Sequence, residues 1–302
     1  MTAIATADGR KFRIHGRMLR IANVDGEKFR FIDDPEATVS ALKNCGRRVD
    51  LFTFMQRLPE TAPKYGYTME WDNLAVLPVS TFDHWWTNVL GFKGRNKAKQ
   101  AQKKGVEIRE IPFSEELTEG IWQIYNETPI RQGKRFPHYG MKRERVRGYA
   151  GTFLDSSVFI GAFYEGSLIG FAKLTADETG TQAGLMHIVS MIKHREKAPT
   201  NALIAQAVRS CADRNIPYLV YSNFAYGNKS RDSLSDFKER NGFQRVNVPR
   251  YYVPLNEFGK LALSMGLHRS LLERLPESVI ERLRRYRADW YASKSQSSEQ
   301  AG

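Results

Sequence analysis

The chain has 302 residues, enough for one large domain or two of ordinary size. Its 46 Lys and Arg against 33 Asp and Glu give a net charge of +13, which points to an anionic partner such as a nucleic acid, a phosphorylated substrate or a membrane. The two cysteines lack the spacing of a disulfide framework or a metal site. The sequence shows no signal peptide, and no apolar run approaches the roughly 20 residues that a membrane span needs. We therefore expect a cytoplasmic protein that can also lie at the inner face of the membrane.

The N-terminal part of the sequence predicts short strands and one helix. Its alternating apolar runs, bounded by turn residues, lie at 11–16, 18–24, 28–33, 49–55 and 67–79. The stretch 34–45 predicts the helix, because Asp34 is a suitable N-cap and Pro35 a suitable first helical residue.

The stretch 80–104 predicts one long helix that ends at Gly105. Ser80 or Thr81 can cap its start, and its first apolar residues recur at three- and four-residue steps. Its far end, KGRNKAKQAQKKG, is strongly basic. The lysines there could contact the phosphate backbone of a tRNA or form an ordinary solvated surface.

From residue 106 onward the predicted elements follow a regular order. They are a strand at 106–111, helices at 114–128 and 141–155, strands at 157–164, 168–176 and 183–191, a helix at 199–214, a strand at 217–224, a helix at 232–241 and a strand at 250–255. This order predicts a mixed α/β domain at 113–255, preceded by a partial lobe of similar kind at 1–112 that includes the basic helix.

The remaining stretch, 256–302, predicts an amphipathic helical tail. Apolar residues keep helical spacing from Leu267 to Trp290, and arginines decorate the last helix. Such a helix can pack on the protein's own surface, or it can lie on an anionic membrane or a nucleic acid.

The element order of 113–255 resembles the GNAT superfamily of N-acetyltransferases. The resemblance implies a mixed twisted sheet with flanking helices, in which the strand before the main helix splays away from the next strand. The acyl donor then lies in the gap, against the backbone of the residues that here would be Ile188, Val189 and Ser190. The next strand would end in Tyr221 and Asn223, which would line the acceptor side.

The loop after the splayed strand matches coenzyme A binding weakly. In acetyl-CoA-dependent members an Arg or Gln precedes glycines whose N–H groups contact the pyrophosphate. Here the loop reads 195-REKAPTNALI-204, so Arg195 fits, but Pro199 lacks an N–H and no glycine is present. The resemblance implies donor-binding roles for Arg195, Thr200 and Asn201, whereas Pro199 could simply begin an ordinary helix.

The stretch 236-DFKERNGF-243 distinguishes two kinds of acyltransferase. Acetyltransferases of the superfamily often have a Tyr four residues before this Gly, where this chain has Lys238. The pair Phe237 and Lys238 resembles the Fem family, whose members have two GNAT-like halves and transfer an amino acid from aminoacyl-tRNA to an amine of a peptidoglycan precursor. The stretches 95–108 and 124–133 are also similar to Fem patterns. Outside such a family, Lys238 would be an ordinary solvent-facing lysine.

The Fem resemblance implies an acyltransferase without a permanent cofactor, with aminoacyl-tRNA or acyl-CoA as donor. Lys238 would stabilise the oxyanion of the tetrahedral intermediate, where one positioned donor contributes about 2.7–4 kcal/mol. The implied acceptor-side residues are Arg131, His187, Tyr221 and Asn223. His187 could accept the proton of the amine or be a satisfied core residue. The alternatives are an acetyl-CoA-dependent N-acetyltransferase and a non-catalytic tRNA- or membrane-binding protein on a degenerate fold.

Overall fold

A computed structural model describes residues 3–7, 9–131, 133–225, 233–269 and 282. In chain order, the strands are β1 Ala3–Ala7, β2 Arg10–His15, β3 Ile21–Val24, β4 Leu51–Met55, β5 Thr68–Pro78, β6 Glu107–Ile111, β7 Ile130–Arg131, β8 Lys134–Arg135, β9 Ser157–Tyr164, β10 Ser167–Ala176, β11 Gln182–Ser190, β12 Tyr218–Asn223 and β13 Gln244–Pro254. The α-helices are α1 Pro35–Lys43, α2 Phe82–His84, α3 Phe92–Lys103, α4 Glu115–Asn126, α5 Arg143–Ala150, α6 Pro199–Asp213, α7 Ser233–Arg240 and α8 Glu257–Ser264.

The chain forms two compact units, each assembled from separate stretches. Unit 1 comprises Met1–Phe92, Leu174–Met186 and Val208–Ser270, and unit 2 comprises Lys93–Lys173, His187–Ala207 and Leu271–Gly302. Strands β10 and β11 each contribute residues to both units. Both units include residues from either side of residue 112. The division expected at residues 112 and 255 stays a prediction.

Unit 1 contains a mixed sheet in the order β1-β2-β3-β4-β13-β5-β12-β11. The pairs β3–β4 and β11–β12 are parallel, whereas β1–β2, β2–β3, β4–β13, β13–β5 and β5–β12 are antiparallel. Aromatic side chains fill its core: Phe52 and Phe54 stack with ring centroids 5.2 Å apart, and Phe54 stacks on Tyr251 at 5.1 Å. Such offset contacts add to the free energy gained from burying the rings.

The parallel pairing of β11 with β12 ends before either strand does. The paired residues run from Gln182–Tyr218 to Gly184–Val220, although both strands continue beyond them. On its other side, β12 shifts register against β5 between Val220 and Asn223, and Ser222 between them has a φ of 51°. This irregularity is a β-bulge, after which the pairing of β12 with β5 resumes at Asn223 and Leu74.

Unit 2 is built around the sheet order β10-β9-β6, with β6 and β9 antiparallel. Helix α4 lays its apolar face, including Ile121 and Ile124, against Phe171 of β10 in a buried cluster that also holds Val146 of α5. Helix α4 begins as predicted, because the Oγ of Ser114 accepts a hydrogen bond from Leu117 N at 3.2 Å.

In the N-terminal part, the helix predicted at 34–45 is confirmed and the strand predicted at 28–33 is wrong. The carboxylate of Asp34 accepts a hydrogen bond from Ala37 N at 2.9 Å. The stretch 28–33 instead follows a tight turn, in which the N–H groups of Phe29 and Arg30 both donate to Gly26 O. Its alternating pattern arises because Phe29 and Phe31 are both buried in the core, and not because the stretch pairs as a strand.

The single helix predicted at 80–104 is also wrong. After α2 the chain forms a wider π-helical turn at Trp85–Val89, closed by a hydrogen bond from Leu90 N to Trp85 O, and Leu90 itself is extended with a ψ of 118°. Trp85 explains the break, since its ring is buried and its Nε1 donates to Asn241 O at 3.1 Å. The chain then restarts as α3, which carries the predicted basic residues.

The tail predicted at 256–302 lies mostly outside the described residues, which after residue 269 include only Arg282. Its first part is helix α8, where the side chain of Asn256 accepts a hydrogen bond from Gly259 N at 2.8 Å. Within the part of the chain that the structure describes, every helix is too short or too polar to cross a bilayer.

Replacing Gly242 with alanine should destabilise unit 1, because two costs coincide there. Gly242 has a φ of 89°, which costs an L-residue about 1–2 kcal/mol. An added Cβ would also lie 2.5 Å from Val89 Cγ1, and such overpacking costs about 1–3 kcal/mol. We expect Gly242→Ala to lower the free energy of unfolding by about 2–5 kcal/mol in urea titrations.

Gly46→Ala is the matched control for this substitution. Gly46 has a φ of 69°, but a Cβ there would have nothing within 4 Å. It should therefore cost only the conformational share, about 1–2 kcal/mol. Equal losses in the two variants would show that crowding against Val89 is unimportant.

Candidate active site

Lys238 lies inside unit 1 with its side chain fully buried. Its Nζ donates a hydrogen bond to the main-chain oxygen of Asn223, and it lies 4.8 Å from the centroid of the Tyr221 ring. The alternative in which Lys238 faces solvent is therefore wrong. A buried ammonium requires such oxygen and ring partners, since burial without them costs several kcal/mol.

Helix α7 brings Lys238 to this position because it is fastened to the end of β12. At its start, Ser235 Oγ donates to Phe224 O at 3.2 Å. At its end, Phe243 N donates to Lys238 O at 3.0 Å, and the buried Phe243 ring stands edge-on to Tyr221 at 5.7 Å. Phe237, the other residue of the Phe-Lys pair, is half-buried on the same helix.

Asn223 connects several polar groups at the bulged end of β12. Its main-chain oxygen accepts from Lys238, its Oδ1 accepts from Lys28 Nζ at 3.3 Å, and its Nδ2 donates to Asp72 Oδ1 at 3.1 Å. Lys28 Nζ also donates to the Oγ of Ser222. Two lysines thus bind the segment Ser222–Asn223. Lys238 binds its main-chain oxygen at Asn223, and Lys28 binds both of its side chains.

The sequence did not indicate Lys28, which comes from the tight turn after β3. Gln182 Nε2 on β11 donates to Lys28 O at 2.8 Å and fixes this turn. A Cβ at Gly184, the last β11 residue paired with β12, would lie 3.4 Å from the Phe29 ring, so the turn packs closely over that point. Burial lowers the pKa of Lys28, while the charges of Glu27 and Asp72 oppose this shift.

Arg250 on β13 ties two carboxylates into the same network. Its guanidinium bonds Glu27 at 3.0 and 3.2 Å and Asp72 at 3.1 and 3.0 Å. Burial alone would lower the pKa of Arg250, but Glu27 and Asp72 raise it above its usual value. Burial likewise acts to raise the pKa of Glu27, but Arg250 outweighs it and lowers that pKa. The cations of Arg250 and Lys28 therefore balance two carboxylates.

A pocket of about 560 Å³ lies beside α7 within unit 1. Phe224 and Phe243 give it apolar walls, and Ser235, Glu239 and Arg245 provide polar groups. Its volume suits a small organic ligand or one end of a larger substrate. Ser235 and Glu239 lie one helical turn apart and line it, whereas Lys238 on the same helix contacts Asn223.

In unit 2, the predicted donor-binding residues Ile188, Val189 and Ser190 form the half-buried end of β11. The main-chain oxygen of Ser190 accepts from Arg131 Nη1 at 2.7 Å, and its Oγ lies 2.8 Å from Thr200 Oγ1. A Cβ at Gly170 would lie 3.0 Å from Ser190 Cβ, so β10 approaches this end closely.

Arg131 is engaged by the chain's own groups. Besides Ser190, its guanidinium contacts Ile124 O at 2.9 Å and Glu127 Oε2 at 3.0 Å. Glu127 in turn accepts the N–H groups of Ile192 at 2.7 Å and Lys193 at 2.9 Å. This ion pair fixes the end of β11 and the turn that follows it, and the predicted acceptor-binding role of Arg131 stays a prediction.

The remaining predicted donor residues lie around the start of α6. Arg195 is exposed in the 3-10 turn Ile192–Lys197, which ends at Ala198 with a φ of 54°. Thr200 and Asn201 lie in the first turn of α6, and the hydroxyl of Thr200 is already bonded to Ser190. Pro199 begins this helix, as the ordinary-helix interpretation predicts.

His187 lies among aromatic rings in unit 2. Its ring centroid is 5.0 Å from that of Tyr149 and 6.2 Å from that of Phe171, and its buried Nε2 has no hydrogen-bond partner among the described residues. Burial, with smaller effects from His138 and Lys173, lowers the pKa of His187 to about 4. His187 is therefore neutral at pH 7, the state in which an imidazole can accept a proton.

Comparison with known proteins identifies the fold. No protein-family model and no curated protein matches the sequence. Solved structures do match: the C-terminal domain assigned to a lysylphosphatidylglycerol synthetase from Agrobacterium fabrum has a TM-score of 0.57 and 14% identity, covering 87% of both chains. L-PGS from Bacillus licheniformis gives 0.56 and 14% over 91% of this chain and 90% of that one. FemX gives 0.56 and 10% over 87% and 90%.

The chain has the fold of FemX and L-PGS. The mixed α/β, GNAT-like fold predicted from the element order is thus confirmed, and so is the structural resemblance to the Fem family. Because the identities are 10–14%, the likeness concerns the fold, and the roles of individual residues remain to be argued from their own contacts.

Sequence patterns did not identify several charged residues that the structure places in polar networks of the two units. They are Lys28, Asp72, Lys173 and Arg250. Lys173 and Arg250 share one signal, a charged residue within an apolar stretch of strand, which is rare unless that charge is paired. Lys173 illustrates this, since burial lowers its pKa to about 8 and its Nζ donates to Ala150 O at 2.7 Å. Asp72 lies in the polar first half of β5 and carries no such signal.

Glu27→Gln should destabilise the protein at neutral pH, since it removes a charge that Arg250 contacts twice. The pKa of Glu27 is lowered from 4.5 in the fold, so its contribution is complete above pH 4.5 and disappears as the pH falls through the folded value. We expect a loss of about 1–3 kcal/mol at pH 7 that shrinks below pH 4.5.

Urea titrations across this pH range measure the effect. Glu60→Gln is the control, because Glu60 is 57% exposed and pairs with Lys64 at the surface, and we expect a change within about 0.5 kcal/mol. A pH-independent loss in Glu27→Gln would contradict the assignment of its charge to Arg250.

His187→Phe should flatten the dependence of stability on pH. The pKa of His187 falls from 6.5 to about 4 on folding, so the wild type is fully stable above pH 6.5 and loses stability as the pH drops toward 4. Phenylalanine has no proton to gain and keeps an aromatic ring beside Tyr149 and Phe171. The comparison is the free energy of unfolding between pH 4 and 7, and parallel profiles for the two proteins would refute the buried, neutral state.

Proposed function

We propose that the chain is an acyltransferase that moves an acyl or aminoacyl group from an activated donor to an amine by direct attack, without a covalent enzyme intermediate. The observation that carries the proposal is the fully buried Lys238, whose ammonium contacts the bulged end of β12 in a fold shared with FemX and L-PGS. A cation is costly to bury, and a site that stabilises negative charge gives it a use.

Attack of an amine on an ester or thioester produces a tetrahedral intermediate whose oxygen is negatively charged. We assign Lys238 to stabilise this oxyanion, because a positioned donor in a water-excluded site is far more effective than one in solvent. Lys28 would act as a second cation beside Asn223, and Tyr221 and Asn223 would line the acceptor side. We include Phe237 in the catalytic site with Lys238, because it is the other residue of the Phe-Lys pair.

The attacking amine must also lose a proton. We assign His187 to accept it on the position of its Nε2, which is unpaired among the described residues. The pKa of about 4 makes its imidazole neutral but a weak base at pH 7, so this step would be slow. The donor would contact the backbone of Ile188, Val189 and Ser190 and the side chains of Arg195, Thr200 and Asn201. Arg131 fits a positioning role better than acceptor binding, because its guanidinium already holds Ser190 O and Glu127.

Aminoacyl-tRNA is the donor we favour over acyl-CoA. The loop from Arg195 to Asn201 contains no glycine, and Pro199 removes one of the N–H groups that a pyrophosphate would need. For the acceptor we propose an amine of a peptidoglycan precursor. The name lysylphosphatidylglycerol synthetase suggests phosphatidylglycerol as the second candidate, and in that case a glycerol hydroxyl instead of an amine would attack the donor and form an ester. The cytoplasm, including the inner face of its membrane, is where these substrates would meet the protein.

The test of Lys238 is the transfer of radiolabelled amino acids from charged total tRNA to either acceptor. Lys238→Met preserves the side-chain volume but removes the charge, so kcat should fall about 10²–10³-fold. Lys260→Met, at an exposed lysine of α8, is the matched control and should keep wild-type activity. Wild-type kcat in a folded Lys238→Met variant, with folding checked by its Tm, would refute the role of Lys238.

The two alternatives give different results in the same experiments. Micromolar binding of acetyl-CoA in calorimetric titrations would favour an N-acetyltransferase, whereas absence of binding favours the tRNA donor. Binding of tRNA or vesicles without transfer to any acceptor would favour the non-catalytic alternative.

A further inference from the structure

Helix α8 presents an apolar face to solvent. Phe258, Leu261 and Met265 are 39%, 57% and 62% exposed and follow one another at three- and four-residue steps, which places them on one side of the helix and its last turn. Gly259 and Ala262 face the protein instead, and a Cβ at Gly259 would lie only 2.0 Å from Asp50 O. The helix is therefore held firmly on unit 1 with its apolar side outward.

Met18 extends this apolar face. It is 82% exposed in the loop between β2 and β3. Arg48 joins the loop to α8, since its Nη2 donates to Met18 O at 3.3 Å and its guanidinium carbon lies 5.3 Å from the centroid of the Phe258 ring. Met18, Phe258, Leu261 and Met265 are hereafter called the α8 surface.

Basic residues lie on the loops next to the α8 surface, and the acidic residue of α8 itself, Glu257, is paired with Lys260 at 2.7 Å. The two loops beside it carry exposed arginines, Arg17, Arg20, Arg47 and Arg48. The stretches 9–24 and 37–49, which contain these loops, have no acidic residue. Asp50 does not cancel this charge at the surface, because its carboxylate is buried and accepts from Arg20 N and Arg48.

We propose that the α8 surface docks on an anionic lipid bilayer, with its apolar side chains in the headgroup and acyl boundary and its arginines on lipid phosphates. Apolar residues rimmed by arginine are the composition of interfacial helices, and contiguous exposed apolar groups of this kind are unusual on soluble proteins. Anionic headgroups complement the basic rim. An RNA partner would use the arginines but gain little from exposed Leu261 and Met265.

Co-sedimentation with vesicles of phosphatidylglycerol and phosphatidylcholine, compared with pure phosphatidylcholine, tests the proposal on the full chain. We expect binding to the anionic vesicles only. Leu261→Ser with Met265→Ser should lower the partition coefficient at least about tenfold. Arg17→Gln with Arg47→Gln should lower it as well and reduce its dependence on salt. Phe92→Ser, at a residue 70% exposed but on α3, is the matched control and should bind like the wild type.

Methionine oxidation by peroxide provides an independent readout of the same contact. Met18 and Met265 should oxidise readily in the free protein and be protected by anionic vesicles, whereas Met55, which is 2% exposed, should stay unreactive in both states. Protection of Met18 and Met265 without vesicles would mean that protein already covers the surface and would overturn the proposal. Vesicle binding that is unchanged by the Leu261 and Met265 substitutions would overturn it too. So would vesicle binding that total RNA abolishes and that only the arginine substitutions weaken.

Discussion

A buried ammonium dictates much of the local structure around it. Lys238 has no contact with solvent, so oxygen acceptors must be supplied by the chain at fixed positions. Asn223 pairs with Leu74 of β5 directly after the bulge of β12, and its main-chain oxygen accepts from Lys238. The same short segment, from Ser222 to Phe224, also contains the positive φ of Ser222. The hydrogen bond between Ser235 and Phe224 attaches it to the helix that carries Lys238.

The second consequence of this arrangement is that charges in unit 1 are organised as a network rather than as isolated pairs. Arg250 forms ion pairs with Glu27 and Asp72. Asp72 accepts a hydrogen bond from the side-chain amide of Asn223, whose oxygen in turn accepts one from Lys28. Each partly buried charge is compensated by a neighbour, which is the condition under which such charges can remain inside a protein. Lys28 and Lys238 are thereby kept close to one strand end.

Sequence patterns predicted the elements well wherever local chemistry decides the outcome. The caps at Asp34 and Ser114 are examples, because a side-chain oxygen and a nearby N–H are enough to begin a helix. The errors occurred where distant contacts decide. Trp85 breaks the predicted long helix because its ring is buried and its indole bonds Asn241, a residue that periodicity within 80–104 cannot reveal.

The candidate site shows the same division. Lys238, Tyr221 and Asn223 could be selected by motif and by position at a strand end, and the structure brings these three together. Lys28 could not be selected in this way. Arg250 could be noticed as a charge within an apolar strand, but its partner Glu27 could not be assigned, because it lies roughly 223 residues away along the chain. Only the sheet order brings such distant stretches side by side.

The position of β13 has a consequence for how the protein is made. This strand lies between β4 and β5, although it follows them by well over a hundred residues. On the ribosome, β4 and β5 therefore emerge long before the strand that separates them exists, and their edges must wait unpaired. Nascent chains of this protein are exposed to mispairing until synthesis has passed Pro254, which makes the late stages of translation the time when a chaperone would matter most.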